Sequence, residues 1–302
     1  MDTPQSIRLH EVAPRDGLQN EKVLLSTEVK MQLIERLAAA RPASIEVGSF
    51  VRPDLLPQMA DTPEVCARLS QAPWAAEARA AGVRFAGLVP NRRGYERIIE
   101  TDLEEITLLV SATDGHSKAN VNKTVAEALA ESSELIRETR AAGRNSRLYI
   151  SMAFRCPIEG QTDPAQVLDI TRAVYEAGAD RILLSDTLGV AERGDVEQLV
   201  AGALEFAEPH RLGLHMHDTY GHAVDNCRAA WEMGIADFDA ATGGTGGCPF
   251  APGAKGNLAS EELLEALPEW RADCDTDLPQ LRSTAAWLSA ELLKGEPVPA
   301  RG

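Results

Sequence analysis

Short β-branched or apolar segments alternate with longer amphipathic stretches along this chain, at intervals of roughly thirty residues. An interval of that length holds one strand and one helix, and eight such units can be counted. Eight strands that are each followed by a helix predict a closed (β/α)8 barrel, because about 250 residues is the usual length of that fold. The predicted strands are Ile7–Ala13, Ser44–Val47, Val83–Val89, Glu105–Ser111, Arg147–Ala153, Arg181–Ser185, Leu212–Met216 and Asp237–Ala241.

The chain has 302 residues, which is more than such a barrel needs, and the surplus falls at its C-terminal end. Residues 260–294 are apolar at helical spacing and predict the eighth helix with one or two further helices. No linker rich in Gly, Pro or Ser divides the sequence. We therefore predict a single α/β TIM barrel with extra C-terminal helices, which forms one catalytic domain over residues 1–302.

The composition restricts the partners and the compartment of the protein. Lys and Arg number 30 and Asp and Glu number 46, so the formal net charge is −16. Negative charge spread over a folded surface opposes nucleic acids and anionic membranes as partners. No stretch approaches the eighteen or so apolar residues of a membrane span, and the first residues lack the features of a signal peptide. These features predict a cytoplasmic protein.

Polar side chains recur at the C-terminal ends of the predicted strands, where the active sites of such barrels lie. Five of the eight strands carry them at that end. They are Arg15, Asp16 and Gln19 after the first strand, Glu46 and Ser49 at the end of the second, Asp186 after the sixth, His215 and His217 on the seventh, and the segment 243–257 after the eighth. The sequence therefore predicts a functional site at this mouth of the barrel.

His215 and His217 are two residues apart on a predicted strand, so both imidazoles project to the same side. Taken alone, such a pair is equally compatible with two structural or solvated histidines. The carboxylate of Asp16 adds an oxygen ligand, and two imidazoles with one carboxylate suit a catalytic Zn²⁺, Mn²⁺ or Mg²⁺ ion. The amide oxygen of Asn257 could be a fourth ligand.

Arg15 precedes Asp16, and neighbours of this kind commonly form nothing more than a surface ion pair. Here Gly17 follows them and permits a tight turn at the end of the strand. The guanidinium could then face an anion in the same pocket, and an Arg near a metal is suited to stabilising an enolate oxygen.

The segment 243–257 holds six glycines and two prolines, so we expect no helix or strand interior there and a loop able to rearrange over a ligand. It matches neither the dinucleotide-binding nor the P-loop glycine pattern. Cys248 lies in this loop, which favours acid, base or nucleophilic work for its thiol. Cys66, Cys227 and Cys274 are expected to be inert, and Cys156 is intermediate; the five cysteines contain no C-x-x-C pair.

Five segments together resemble hydroxymethylglutaryl-CoA lyases, over almost the whole chain and in the same order. They are VAPRDGLQNEK (12–22), IEVGSFV (45–51), LSDTLGV (184–190), LHMHDTYGHAVDN (214–226) and GGCPFAPGAKGNLASE (246–261). The resemblance implies a (β/α)8 homodimer with Mg²⁺ or Mn²⁺ that cleaves 3-hydroxy-3-methylglutaryl-CoA to acetyl-CoA and acetoacetate by a retro-Claisen reaction. It also implies a place in leucine degradation.

The resemblance implies roles for individual residues. Asp16, His215, His217 and Asn257 would bind the metal, and Asp16 or His215 would accept the hydroxyl proton of the substrate. Arg15 would stabilise the enolate and Cys248 would be the catalytic thiol. The remaining site residues would be the acidic Glu46, Asp186 and Glu261, with Arg15, Gln19 and Ser49 contacting the acyl-CoA substrate.

Two segments depart from the family pattern, GGTGG (243–247) and SATDGHSKANVN (111–122). Both lie near the substrate, which leaves open a longer 3-substituent or another branched 3-hydroxyacyl group. A condensing acyltransferase of the isopropylmalate or homocitrate synthase type is the main alternative, since such enzymes resemble this chain in the R-D-G and H-x-H motifs. A non-catalytic barrel is a further alternative. The candidate cations for CoA are Lys22, Arg52, Arg92, Lys118 and Lys255.

Overall fold

Eight parallel strands close into a barrel in the computed structural model, which describes residues 6–246 and 256–297. Each strand pairs with its neighbours in sequence order, and β1 closes the ring by pairing with both β8 and β2. The predicted TIM barrel is confirmed. The strands are β1 Arg8–Glu11, β2 Ser44–Ser49, β3 Arg84–Leu88, β4 Glu105–Ser111, β5 Asn145–Ser151, β6 Arg181–Asp186, β7 Leu212–Met216 and β8 Asp237–Ala240.

Helices surround this barrel, and apolar side chains such as Leu33, Leu37 and Ile45 fill the space between the two layers. α10 is the predicted eighth helix and α11 is the further C-terminal helix; α11 packs against α1, where Arg36 lies 4.7 Å from the ring of Trp287. The helices are α1 Thr27–Ala40, α2 Thr62–Leu69, α3 Pro73–Ala80, α4 Arg92–Ile98, α5 Asp114–Val121, α6 Val125–Ala141, α7 Pro164–Ala177, α8 Arg193–Leu204, α9 Ala223–Glu232, α10 Ser260–Trp270 and α11 Leu278–Leu292.

Within the described ranges, no helix is both long and apolar enough to cross a membrane. Cys66, Cys156 and Cys227 are buried, and Cys274 is half-buried. Burial raises the pKa of Cys66 to about 12, so its thiol stays protonated at neutral pH and is a poor nucleophile. Cys248 and Lys255 lie outside the described residues.

The first strand is shorter than the sequence suggests. β1 ends at Glu11, and Ala13–Gly17 forms one π-helical turn in place of the predicted strand end at Ala13. The amides of Arg15, Asp16 and Gly17 all donate to the carbonyl of Val12, at 3.1, 2.8 and 3.1 Å. Turns of this kind are frequent at functional sites. This one places Arg15 and Asp16 at the C-terminal mouth of the barrel.

Candidate active site

A cavity of about 520 Å³ occupies the C-terminal mouth of the barrel. Its polar wall includes residues that the sequence analysis singled out, and its other wall is apolar. The polar side chains lining it are Arg15, Asp16, Gln19, Asn20, Ser49, His116, Asn120, Tyr149, Ser151, Ser185, Thr187, His215 and His217. Apolar walls with a few convergent polar groups are typical of small-molecule sites.

Asp16, His215 and His217 form a cluster that could hold a metal ion, with one ligand atom from each residue all within 4.8 Å of one another. Oδ2 of Asp16 lies 3.9 Å from Nε2 of His215 and 3.8 Å from Nε2 of His217. The two ring centroids are 5.5 Å apart. Strand β7 carries His215, and the backbone amide of His217 donates to the carbonyl of Asp186 at 3.1 Å, which fixes the chain just beyond the strand.

Asn257 reaches the same cluster from the segment that follows β8. Its Nδ2 donates to Oδ2 of Asp16 at 2.8 Å and to the carbonyl of Thr245 at 3.0 Å, while its buried Oδ1 has no hydrogen-bond partner among the described residues. An orphaned buried acceptor is costly unless something occupies it. Two imidazole nitrogens, a carboxylate oxygen and an amide oxygen make a donor set that fits a divalent cation.

Two glycines allow this close approach of the loops after β1 and β8. A Cβ atom at Gly17 would collide with the side chain of Thr245. Gly246 has a φ of +96°, and a Cβ there would lie 2.9 Å from the carbonyl oxygen of Asp16. The loops can therefore touch only because both positions lack a side chain.

Arg15 is buried, with 5% of its surface exposed. Arg15 and Asp16 therefore do not form a surface ion pair. Nη1 of Arg15 contacts Oδ1 of Asp16, its Nε contacts Oε2 of Glu46, and its guanidinium lies 5.5 Å from the ring centre of Tyr149. Burial alone would lower the pKa of Arg15, but Glu46 and Asp16 outweigh it and raise the pKa above the usual range. Arg15 is therefore a permanent cation at the cavity wall.

The charges around the cluster favour the protonation states that a metal requires. Burial opposes ionisation of Asp16, yet the Arg15 cation holds its pKa below the usual range, so it is a carboxylate at neutral pH. Burial lowers the pKa of His217 to about 4, so its imidazole is neutral. A metal ligand must be deprotonated in this way.

Other predicted site residues lie apart from the cluster. Asp186 is buried at the end of β6 and accepts the amides of Gly189 and Ala191 at 3.0 and 2.8 Å, which closes its own turn. Glu261 accepts the amide of Gly243 at 3.0 Å, at the start of α10. The structure gives neither carboxylate a contact with the three clustered side chains.

Thr242–Gly244 forms a short turn directly after β8, in which Gly243 has a φ of +70°. Among the candidate cations for CoA, Arg52 pairs with Asp54 and Arg92 with Glu138 on the surface. Along the described wall of the cavity, none of Lys22, Arg52, Arg92 and Lys118 contributes.

The sequence analysis missed two residues that contact the cluster. Tyr149 packs its ring 5.1 Å from that of His215, and its buried hydroxyl has no hydrogen-bond partner in the described part of the chain. Asp239 lies 3.2 Å from Nδ1 of His215. The sequence did contain a signal for them. Arg147, Tyr149 and Ser151 lie at alternate positions along β5, and Asp237 and Asp239 do so along β8. Such alternation marks the face of each strand that points into the barrel.

Three comparisons relate the chain to known proteins. Residues 6–288 match the family model described as HMGL-like. An (R)-citramalyl-CoA lyase of Chloroflexus aurantiacus is 40% identical over 298 residues, which cover 98% of this chain and 93% of that protein.

Two solved structures share the fold throughout. The HMG-CoA lyase of Brucella melitensis has a TM-score of 0.89 at 40% identity, covering 95% of this chain and 98% of that one. An HMG-CoA lyase of Acinetobacter baumannii in complex with coenzyme A and 3-methylmalate has a TM-score of 0.87 at 33% identity, covering 98% and 94%.

Proposed function

Because the chain belongs to the HMGL-like family and is a lyase, we propose that it cleaves 3-hydroxy-3-methylglutaryl-CoA, or a close relative of it, to acetyl-CoA and a 3-carbon or 4-carbon oxo acid. The observation that carries the proposal is the Asp16–His215–His217 cluster beside Arg15 in one cavity. The names of all three relatives above describe lyases, which favours cleavage over the condensing alternative.

Asp16, His215, His217 and Asn257 would hold Mg²⁺ or Mn²⁺, on the strength of their donor chemistry. When bound, the ion supplies a Lewis acid that lowers the pKa of the substrate's tertiary alcohol and orients it. The carboxylate of Asp16, which the Arg15 cation holds ionised, is one candidate to accept the hydroxyl proton, and His215 is the other.

Arg15 would stabilise the negative charge that develops on the thioester oxygen as the carbon–carbon bond breaks. Glu46 and Asp16 hold the guanidinium from two sides, so it needs no rearrangement at the moment of reaction. A preorganised donor of this kind is worth about 3–4 kcal/mol of transition-state stabilisation. Glu46 then serves by orienting Arg15, and Asp186 and Glu261 by closing the turns after β6 and β8.

Cys248 would protonate the acetyl-CoA carbanion once the glycine-rich segment covers the cavity, as inferred from the sequence. Gln19 and Ser49 line the cavity and would contact the substrate. Replacing Cys248 with Ala should reduce turnover by orders of magnitude and leave the affinity for Mn²⁺ unchanged. Unaltered turnover would remove the thiol from the reaction.

Citramalyl-CoA is a second candidate substrate, because the Chloroflexus relative at 40% identity carries that name. Both thioesters have a tertiary alcohol at C3, a methyl group and a free carboxylate, and they differ by one methylene. Cleavage would give acetyl-CoA in either case, with acetoacetate from one substrate and pyruvate from the other.

A direct assay decides between the two. The purified protein with Mn²⁺ is given 3-hydroxy-3-methylglutaryl-CoA, (R)-citramalyl-CoA or (S)-citramalyl-CoA in separate reactions, and acetyl-CoA, acetoacetate and pyruvate are measured. We expect acetyl-CoA together with acetoacetate or pyruvate. The thioester with the larger kcat/KM is the preferred substrate. No acetyl-CoA from any branched 3-hydroxyacyl-CoA would refute the proposal.

We further propose that residues 1–302 form one catalytic domain and that the protein is a homodimer. Its place in the cytoplasm and in leucine degradation, and the absence of nucleic-acid and membrane partners, stay predictions of the sequence analysis.

A further inference from the structure

We propose that Asp239 is a positioning residue that fixes the tautomer of His215, so that the Nε2 lone pair of His215 faces Asp16 and is available to a cation. The inference rests on the metal site of the proposed function, and it concerns residues of the barrel interior that lie behind that site.

The geometry is that of a carboxylate that holds one side of an imidazole while the other side faces a ligand. Oδ2 of Asp239 lies 3.2 Å from Nδ1 of His215, and Nε2 of the same ring lies 3.9 Å from Oδ2 of Asp16. A carboxylate can only accept, so Nδ1 carries the proton, and in the neutral imidazole Nε2 then keeps its lone pair. Partners of this kind orient histidine ligands in many metal sites.

Asp239 is itself held as an anion. It is 1% exposed, and its Oδ1 accepts from Nη2 of Arg147, a side chain that is almost fully buried inside the barrel. The contact with Arg147 occupies one carboxylate oxygen and leaves the other for His215.

His217 provides an internal contrast. Its Nδ1 is buried and has no hydrogen-bond partner among the residues described, so no carboxylate sets its tautomer. Of the two clustered histidines, only His215 is therefore oriented from behind by a charged group. We therefore expect a substitution of Asp239 to affect metal binding through His215 and not through His217.

The chain offers a matched control on the same strand. Asp237 also accepts from a buried histidine and from an arginine: Nε2 of His10 is 2.7 Å from its Oδ1, and Nε of Arg181 is 3.1 Å away. This second set lies at the N-terminal ends of the strands and touches none of the clustered ligands. Asp237→Asn and Asp239→Asn therefore make the same chemical change in two similar buried settings.

In Asp239→Asn, the amide oxygen should turn to Arg147, because a guanidinium only donates. The amide NH₂ then faces Nδ1 of His215 and donates to it, which moves the ring proton to Nε2. We expect the Mn²⁺ affinity of the metal-stripped full-length protein, measured by calorimetry, to fall 10- to 100-fold. In Asp237→Asn we expect a change of less than about threefold.

Histidine-selective ¹⁵N NMR on the metal-free protein gives a second readout that a merely structural role would not move. We expect the Nδ1–H tautomer of His215 in the wild type and in Asp237→Asn, and the Nε2–H tautomer in Asp239→Asn. The wild-type spectrum alone overturns the inference if His215 carries its proton on Nε2, so the test does not depend on the folding of any variant.

The two readouts separate the inference from the function on which it rests. Equal Mn²⁺ affinities for wild type and Asp239→Asn, or an equal loss in Asp237→Asn, would overturn the inference and leave the proposed lyase intact. If the wild type itself binds no Mn²⁺, the proposed metal site is wrong, and the tautomer spectra still decide whether Asp239 orients His215.

Discussion

The barrel interior contains two layers of buried histidines and carboxylates that differ in how completely their polar atoms are paired. In the lower layer, formed by His10, Ser44, Arg181 and Asp237, both ring nitrogens of His10 have partners at 2.7 Å. This layer lies at the N-terminal ends of the strands, where nothing is bound in barrels of this kind and paired groups serve stability.

The upper layer, formed by Asp16, His215, His217 and Asn257, is incompletely paired. Nδ1 of His217 and Oδ1 of Asn257 are buried and have no hydrogen-bond partner within residues 6–246 and 256–297. A buried polar atom without a hydrogen-bond partner costs about 1–3 kcal/mol, so the upper layer lowers the free energy of unfolding. The two layers contain similar residue types. These residues stabilise the fold where every polar atom has a hydrogen-bond partner, and they are available to bind a ligand where some polar atoms have none.

The largest effect should come from removing a clustered histidine. We expect His217→Ala to weaken Mn²⁺ binding by more than the 10- to 100-fold that loss of an outer partner costs. His10→Gln, the corresponding change in the lower layer, should leave the affinity unchanged. Calorimetry on both variants checks this, and equal affinity in His217→Ala and wild type would remove His217 from the ligand set.

Arg15→Lys should lower kcat by about 100-fold with little change in KM, because an ammonium cannot keep both carboxylate contacts and still face the enolate oxygen. Arg181→Lys makes the same change in the lower layer and should leave kcat unchanged. Steady-state kinetics with the preferred thioester measure both. An equal loss in the two variants would mean that the effect is on folding.

Asp237→Ala should lower the free energy of unfolding by about 3–5 kcal/mol, since it leaves the buried His10 and the half-buried Arg181 without their shared carboxylate. The Mn²⁺ affinity of the fraction that stays folded should not change. Urea unfolding followed by circular dichroism measures the loss. A change below about 1 kcal/mol would show that the lower layer does not carry the stability assigned to it.

A pH-dependent effect is expected at Glu11, which joins the two loops of the upper layer. Its Oε1 accepts the amides of Ala13 and Thr242 at 2.9 Å each, and its Oε2 accepts the hydroxyls of Thr242 and Ser260 at 2.7 Å. Burial raises its pKa from 4.5 to about 7. The folded state therefore binds the proton more tightly than the unfolded state does.

The contribution of Glu11 to stability is fully present below pH 4.5 and is lost as the pH rises through 7. A shift of this size corresponds to about 3 kcal/mol. Glu11→Gln cannot titrate, and its amide can still accept from the two backbone amides. We expect the free energy of unfolding of Glu11→Gln, minus that of the wild type, to increase between pH 5 and pH 8. Parallel stability curves for the two proteins would contradict the assignment.

The fold was predictable because the barrel repeats one unit, and each unit carries its own alternation. Glu105–Ser111 and Leu212–Met216 are strands with the predicted bounds. The prediction failed at Ala13, because three amides turn back to the carbonyl of Val12 and no residue pattern announces such a turn. Local periodicity predicts that a strand is present, but it does not predict the residue at which the strand stops hydrogen-bonding to its neighbours.

The candidate site was predictable in part, for a different reason. His215, His217 and Asp16 are unusual residue types at strand ends, so the fold alone brings them together. Asp186 and Glu261 stand at similar positions but bond to backbone amides, which residue type cannot reveal. Tyr149 and Asp239 were missed because they lie within their strands and not in the loops that follow, and they contact His215 only once β5, β7 and β8 share one closed interior.

Anomalous diffraction from a crystal soaked in Mn²⁺ measures the central claim most directly. The account predicts one peak at the C-terminal mouth, within about 2.0–2.3 Å of Oδ2 of Asp16 and of Nε2 of both His215 and His217. A peak that lies away from these three atoms, or no peak at a saturating Mn²⁺ concentration, would contradict it.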